Sequence, residues 1–229
     1  MFATAARSHR YLQLVGLAFH VGSQCLNPTN YSKAVRIALN QIEQLRAAGH
    51  HLSWLDIGGG FPVDYTRQVS YVQDVLDGVA AAIEQVPDDL QLIAEPGRAF
   101  CATAATLFTS IIGRTTRNGR TWYFIDDSIY QTFSGKIYDF IDYRFYPLDR
   151  PNLPAAEVVV AGCSCDGHDV INREALLPPD LEEGTILYAP DIGAYTTASS
   201  SAFNGFPPAD RVFLDPLPAE RSGERLTTA

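Results

Sequence analysis

Leu55-Asp-Ile-Gly-Gly-Gly-Phe-Pro62, "LDIGGGFP", puts three consecutive glycines directly behind an apolar strand. Three residues without side chains cost conformational entropy on folding. A chain that keeps them uses bare backbone there, in a turn that needs positive φ or in close approach to something else. Strand, glycine loop and helix in succession is also how many α/β proteins hold a phosphate. From the triplet alone, a tight turn and an anion site are both open.

The surrounding texture extends the pattern. "LVGLAFH", "NYSKAVRIALNQIEQLRAAGH", "LSWLDIGGG", "VQDVLDGVAAAIEQV" and "LQLIAEPGR" alternate short apolar runs with helical stretches, the order expected of a parallel sheet with crossover helices. In the first helix Ala34, Ile37, Ala38, Ile42 and Leu45 are expected on one apolar face, with Gly49 as a stop. After residue 100 helices become scarce. "ATLFTSIIGRT", "RTWYFIDDS", "AEVVVAGCSC" and "GTILYAP" are β-rich runs set between Pro, Gly and Asn clusters, which predicts an antiparallel barrel or sandwich. The expected division is therefore 1–99, α/β, and 100–229, all-β, with a weakly ordered tail from about Pro216.

Composition narrows the function classes. The 229 residues are 46% hydrophobic and 19% charged, enough for a substantial core, and the formal net charge is -9. Such a field repels phosphate backbones and anionic lipid, so nucleic-acid and membrane partners are not expected. No run approaches the roughly 18 apolar residues of a membrane span, and "MFATAARSHRYLQ" has no apolar signal core, so a cytoplasmic protein is expected. The four cysteines, Cys25, Cys101, Cys163 and Cys165, have the spacing of neither a disulfide framework nor paired zinc knuckles. Reduced thiols and no metal site are the expectation.

The polar residues of the first half fall where strands end: His20 and Ser23 after the first, Gly58, Gly59 and Gly60 after the second, Glu95 and Arg98 after the third. Parallel strands that deliver chemistry from their carboxyl ends build a site as a (β/α) barrel of the triosephosphate isomerase type does. In that setting the glycine N–H groups and the fork of Arg98 suit a phosphate, and a carboxylate such as Glu95 beside a ring nitrogen favours its protonated form.

"FHVGSQC", "LDIGGGFP", "EPGR", "SGKIYDF", "CSCDGHDVI", "GAYT" and "FNGF" occur in the order and roughly the spacing of the fold-type III pyridoxal-phosphate decarboxylases, which act on ornithine, lysine, diaminopimelate or arginine. The sequence resembles that family from about Leu14 to Phe206. "YDF" and "CDGHD" are most similar to the ornithine decarboxylase branch, and Asp166 stands where diaminopimelate decarboxylases typically carry Glu. The resemblance implies the carboxyl-terminal part of a (β/α) barrel followed by a β-domain, with pyridoxal 5'-phosphate as cofactor. By the same resemblance His20 stacks on the cofactor ring and Ser23, Gly58, Gly59, Gly60, Gly97, Arg98 and Tyr195 surround its phosphate. Glu95 pairs with the ring nitrogen, and Cys165 is the thiol that returns a proton after CO2 leaves. Tyr138, Asp139, Asp166, Phe203 and Asn204 line the substrate pocket, the two aspartates facing the distal ammonium of ornithine or lysine. A homodimer with sites shared across its interface is also implied.

One family feature has no match. The Schiff-base lysine lies upstream of the stretch resembling "FHVGS", whereas this chain has only Lys33, in a helical stretch, and Lys136, in "SGKIYDF". The expectation is a carboxyl-terminal piece lacking that lysine, whose three parallel strands leave an open sheet with exposed edges. A non-catalytic regulatory homologue of the antizyme-inhibitor type fits the absent lysine. A pyridoxal-phosphate racemase or carrier on the same barrel is the other alternative, against which "CDGHD" weighs.

Overall fold

The computed structural model describes residues 9–65, 70–149 and 154–214; the tail expected from about Pro216 lies outside them. The first half forms β1 (Gly16–Ala18), α1 (Thr29–Ala47), β2 (Trp54–Asp56), α2 (Ser70–Ile83) and β3 (Gln91–Ile93). The strands pair in parallel in the order β1-β2-β3, with Leu17, Leu55 and Leu92 in register. The backbone of β1 and β3 has no partner strand on its outer side among the described residues, as the open-sheet expectation required.

Helix α1 ends where Gly49 takes a φ of 87° and donates its N–H to Arg46 O at 2.9 Å, a left-handed stop that only glycine adopts cheaply. Its buried stripe is Tyr31, Val35, Ala38 and Ile42. Ile37, expected inside, is 65% exposed. The apolar periodicity fits two neighbouring stripes, and the aromatic Tyr31 decides between them by packing on Phe61 with ring centroids 5.3 Å apart.

The second half builds a six-stranded sheet from β4 (Leu107–Arg117), β5 (Arg120–Ile125), β6 (Tyr146–Pro147), β7 (Ala156–Ala161), β8 (Val170–Leu177) and β9 (Ile186–Ala189), ordered β6-β9-β4-β5-β7-β8. Asn118 and Gly119 both take positive φ, 51° and 74°, and close the β4–β5 hairpin as an Asn-Gly turn does. The sheet is not wholly antiparallel, because β5 pairs with β7 in parallel. Helix α3 (Gly97–Cys101) precedes β4, and the long excursion between β5 and β7 holds α4 (Gly135–Tyr138) and β6. Strand β8 carries Asn172, Arg173 and Glu174 amid apolar residues and escaped the sequence pattern.

Two apolar cores result. One joins α1 and α2 to the parallel sheet through Val35, Ile42, Leu55 and Val75; the other lies under the six-stranded sheet around Tyr123, Phe133, Val160 and Leu187. Val63 and Tyr65, only a few residues past the glycine triplet, belong to the second core. The glycine loop therefore ties one half of the chain to the other. Among the described residues no helix is long and apolar enough to cross a membrane.

Candidate active site

Beyond the strand ends the backbone ladder continues. Phe19 N–H donates to Asp56 O (3.0 Å), Ile57 N–H to Ile93 O (2.9 Å) and Glu95 N–H to Gly58 O (2.8 Å). These bonds draw the three loops together, and the glycines make that possible. Gly58 has a φ of 66°, and a Cβ there would overlap the carbonyl of Phe19. At Gly59 a Cβ would meet Glu95 O at 2.7 Å and His20 Nε2 at 3.1 Å. The triplet is thus a backbone crossing point, as its turn reading required.

The same loop retains free donors. Gly58 N–H is taken by Asp56 Oδ1 at 2.8 Å, and the carbonyls of Gly59 and Gly60 accept from Tyr31 Oη and Cys25 N–H, each at 2.9 Å. Among the described residues no acceptor meets the N–H of Gly59 or Gly60. Those two amides, rather than all three, are available to an anion. His20 lies beside Gly59, and its Nδ1 accepts from Gly22 N–H at 2.9 Å, which leaves the proton of the neutral ring on Nε2. Ser23 is exposed in the turn that follows. The exposed carboxylate of Glu95 makes no ion pair among the described residues.

Arg98 is only 5% exposed. Its Nη1 donates to Tyr65 Oη at 2.9 Å, its Nη2 pairs with the Asp139 carboxylate, and its Cζ lies 4.8 Å from the centre of the Tyr195 ring. Burial disfavours its charge, but the Tyr65 oxygen and then Asp139 more than offset this, and the net shift is upward. Tyr195 takes a φ of 55°, and its carbonyl accepts from the hydroxyls of Ser134 (3.1 Å) and Ser199 (2.6 Å). Its own hydroxyl lies 3.1 Å from where a Cβ on Gly97 would stand. His20, Gly59, Glu95, Gly97, Arg98, Asp139 and Tyr195 therefore form one contiguous group. The sequence reading aimed Asp139 at a substrate ammonium; the fold sets it against Arg98.

The remaining predicted residues form a second group. Cys165 is exposed with a φ of 57°. The neighbouring Asp166 accepts from Tyr130 Oη (2.7 Å) and from His168 N–H (2.9 Å). Those bonds, the backbone one first, hold its pKa down at about 2. Phe203 packs on Tyr130 with centroids 4.2 Å apart, and Asn204 Nδ2 donates to Ser164 O at 2.7 Å. Cys163, Cys165, Asp166 and Asp169 share one cavity of about 510 Å3 with Trp122 and Phe124. Burial pushes the Cys163 thiol up to about 11, which keeps it protonated and unreactive at neutral pH. No bond or ring contact joins this group to the Arg98 group among the described residues. Tyr138 belongs to neither and is 68% exposed.

Two organising residues were missed in the sequence. Tyr65 carried no motif. Asp169, the last residue of "CDGHD", is 2% exposed and accepts from Ile129 N–H (3.0 Å) and Ser164 N–H (2.9 Å), fixing the 163–169 loop to the 127–132 loop. Only its position within the quoted motif could have signalled it. Neither lysine joins the groups: Lys33 lies exposed on α1 and Lys136 pairs with Asp142.

A strand-end cluster with two spare backbone amides, a buried arginine, a free carboxylate and an imidazole suits a phosphorylated heterocycle. Comparison with known proteins agrees. Residues 2–102 match the pyridoxal binding domain of the pyridoxal-dependent decarboxylases. The chain is similar in sequence and in fold to the fold-type III decarboxylases. It is 35% identical over 208 residues to a lysine/ornithine decarboxylase of Selenomonas ruminantium, covering 90% of this chain and 52% of that one. An ornithine decarboxylase of Panagrellus redivivus is 34% identical over 233 residues, covering 89% and 51%. In three dimensions it is similar to a lysine/ornithine decarboxylase from Vibrio vulnificus solved with cadaverine, with a TM-score of 0.80, 38% identity and coverage of 90% and 56%. The chain spans about half the length of the curated relatives it matches.

Proposed function

We propose that the chain provides the pyridoxal-phosphate and substrate walls of an ornithine- or lysine-type decarboxylase. The contiguous group at the carboxyl ends of β1, β2 and β3 carries the reading, because it gathers a phosphate's donors, a ring nitrogen's acid partner and a stacking imidazole around one point. In this reading residues 1–99 are part of a (β/α) barrel and 100–229 are the β-domain. The setting is the cytoplasm, which suits four free cysteines.

Bound there, pyridoxal phosphate supplies an electron sink for the charge left when an amino acid loses CO2. Glu95 holds a proton at the ring nitrogen. His20 supports one face of the ring. Gly59 and Gly60 N–H, Gly97 and Arg98 hold the phosphate, with Ser23 and Tyr195 beside them, and this fixes the ring's orientation. Asp166, ionised throughout the physiological range, receives the distal ammonium of ornithine or lysine, with Tyr138, Phe203 and Asn204 as pocket walls. Cys165 returns a proton to the carbon that lost its carboxylate. Among the described residues no bond or ring contact joins Cys165 and Asp166 to the Arg98 group within one chain, and in this reading two copies share each site in a homodimer. The exposed Tyr138, Phe140 and Phe203 offer apolar surface for that contact.

The test is titration with pyridoxal phosphate followed by borohydride reduction and mass analysis. Expected are reversible binding that Arg98→Ala abolishes and no pyridoxyl label on Lys33 or Lys136. Stoichiometric label on either lysine, or binding indifferent to Arg98→Ala, would overturn the arrangement.

A further inference from the structure

Arginine carries five N–H donors, and a side chain of four torsions has to be held still if they are to meet an anion in a fixed pose. Arg98 is held from three sides by three separate parts of the chain: Tyr65 after the glycine triplet, Asp139 after α4, and the Tyr195 ring face. Tyr65 and Asp139 each take a donor from a different terminal nitrogen. The other three donors have no acceptor among the described residues.

Tyr65 is the member of this clamp that no motif marks. It is 7% exposed, sits in the core of the six-stranded sheet and meets Tyr143 edge-on with centroids 6.1 Å apart. Burial raises its pKa, so the phenol stays neutral and accepts from the guanidinium without cancelling its charge. Asp139 alone neutralises; Tyr65 orients. We propose that Tyr65 is a positioning residue that holds Arg98 in the pose in which its free donors meet the phosphate group of the ligand. This rests on the reading of Arg98 as a phosphate contact. It adds that the segment after the glycine triplet sets anion affinity from within the β-sheet core.

The experiment compares wild type and Tyr65→Phe, each titrated with pyridoxal phosphate and with pyridoxal, which lacks the phosphate. The expected result is a roughly tenfold loss of pyridoxal phosphate affinity in Tyr65→Phe with pyridoxal binding unchanged, the size of one hydrogen bond to a charged group. Equal loss for both ligands, or no loss, overturns the role, because a hydroxyl serving only the fold does not distinguish them. A measurement on wild type covers a variant that fails to fold: in the chain labelled with 13C at tyrosine Cζ, inorganic phosphate is expected to shift the Tyr65 resonance. A resonance that stays fixed at saturation overturns the proposal. Wild type binding both ligands equally would instead remove the phosphate assignment of Arg98, and this role with it.

Discussion

At the level of single residues, two aspartates that look alike in sequence do different work. Asp139 is 13% exposed and neutralises the buried Arg98, so Asp139→Ala leaves a nearly buried cation without its counter-charge. The expected cost is about 3 kcal/mol, read from urea unfolding, together with loss of pyridoxal phosphate binding. A variant as stable as wild type would show that solvent already screens the pair. Asp166 is half-buried and held ionised by hydrogen bonds. Its folded pKa of about 2 lies below the usual aspartate value of about 3.9. Its contribution to stability is therefore present above about pH 4 and is lost as pH falls through about 2. Carboxyl carbon NMR should give a midpoint near 2, and Tyr130→Phe should raise it; an unmoved midpoint would leave the His168 amide as the whole cause.

Among elements, the short loops behind the strands carry more of the molecule's organisation than the strands they follow. The three strands of the parallel sheet are three residues each, yet the loops beyond them continue their pairing through Phe19, Ile57 and Glu95. The loop from Cys163 to Asp169 is organised by one buried carboxylate. Asp169→Ala orphans the N–H groups of Ile129 and Ser164, both inside the protein, and should cost about 2–4 kcal/mol by unfolding measurements. Because Cys165 and Asp166 ride on that loop, activity should fall further than the folded fraction does. Activity that tracks the folded fraction would show that the loop keeps its shape without Asp169.

For the whole molecule, the lack of a bond or ring contact between the Arg98 group and the Cys165 group among the described residues makes assembly the decisive question. In an active preparation, Arg98→Ala and Cys165→Ala proteins should each be nearly inactive. If sites are shared between two copies, a mixed dimer has one site with both defects and one with neither. Random exchange makes half of the dimers mixed, so about a quarter of wild-type activity should return. Failure to recover any activity, with exchange demonstrated by mass, would place both groups in one site of one subunit.

Much of this was legible along the chain because it depends on local chemistry. The alternation of strand and helix, the Gly49 stop and the ordered motifs all follow from periodicity and from which residues tolerate positive φ. The placing of His20, Glu95 and Arg98 behind parallel strands followed as well, since strand polarity alone sends those loops to one end. What needed the folded chain were the contacts between distant segments. Whether Ile37 or Tyr31 faces inward depends on Phe61, and β5 pairs in parallel with β7 because of where the intervening chain returns. Asp139 meets Arg98 across 41 positions and Tyr65 meets it across 33. Sequence determined which residues can bear charge, turn or proton; only tertiary structure decided which charge each of them faces, because that pairing is set by packing between segments and leaves no periodic trace in either.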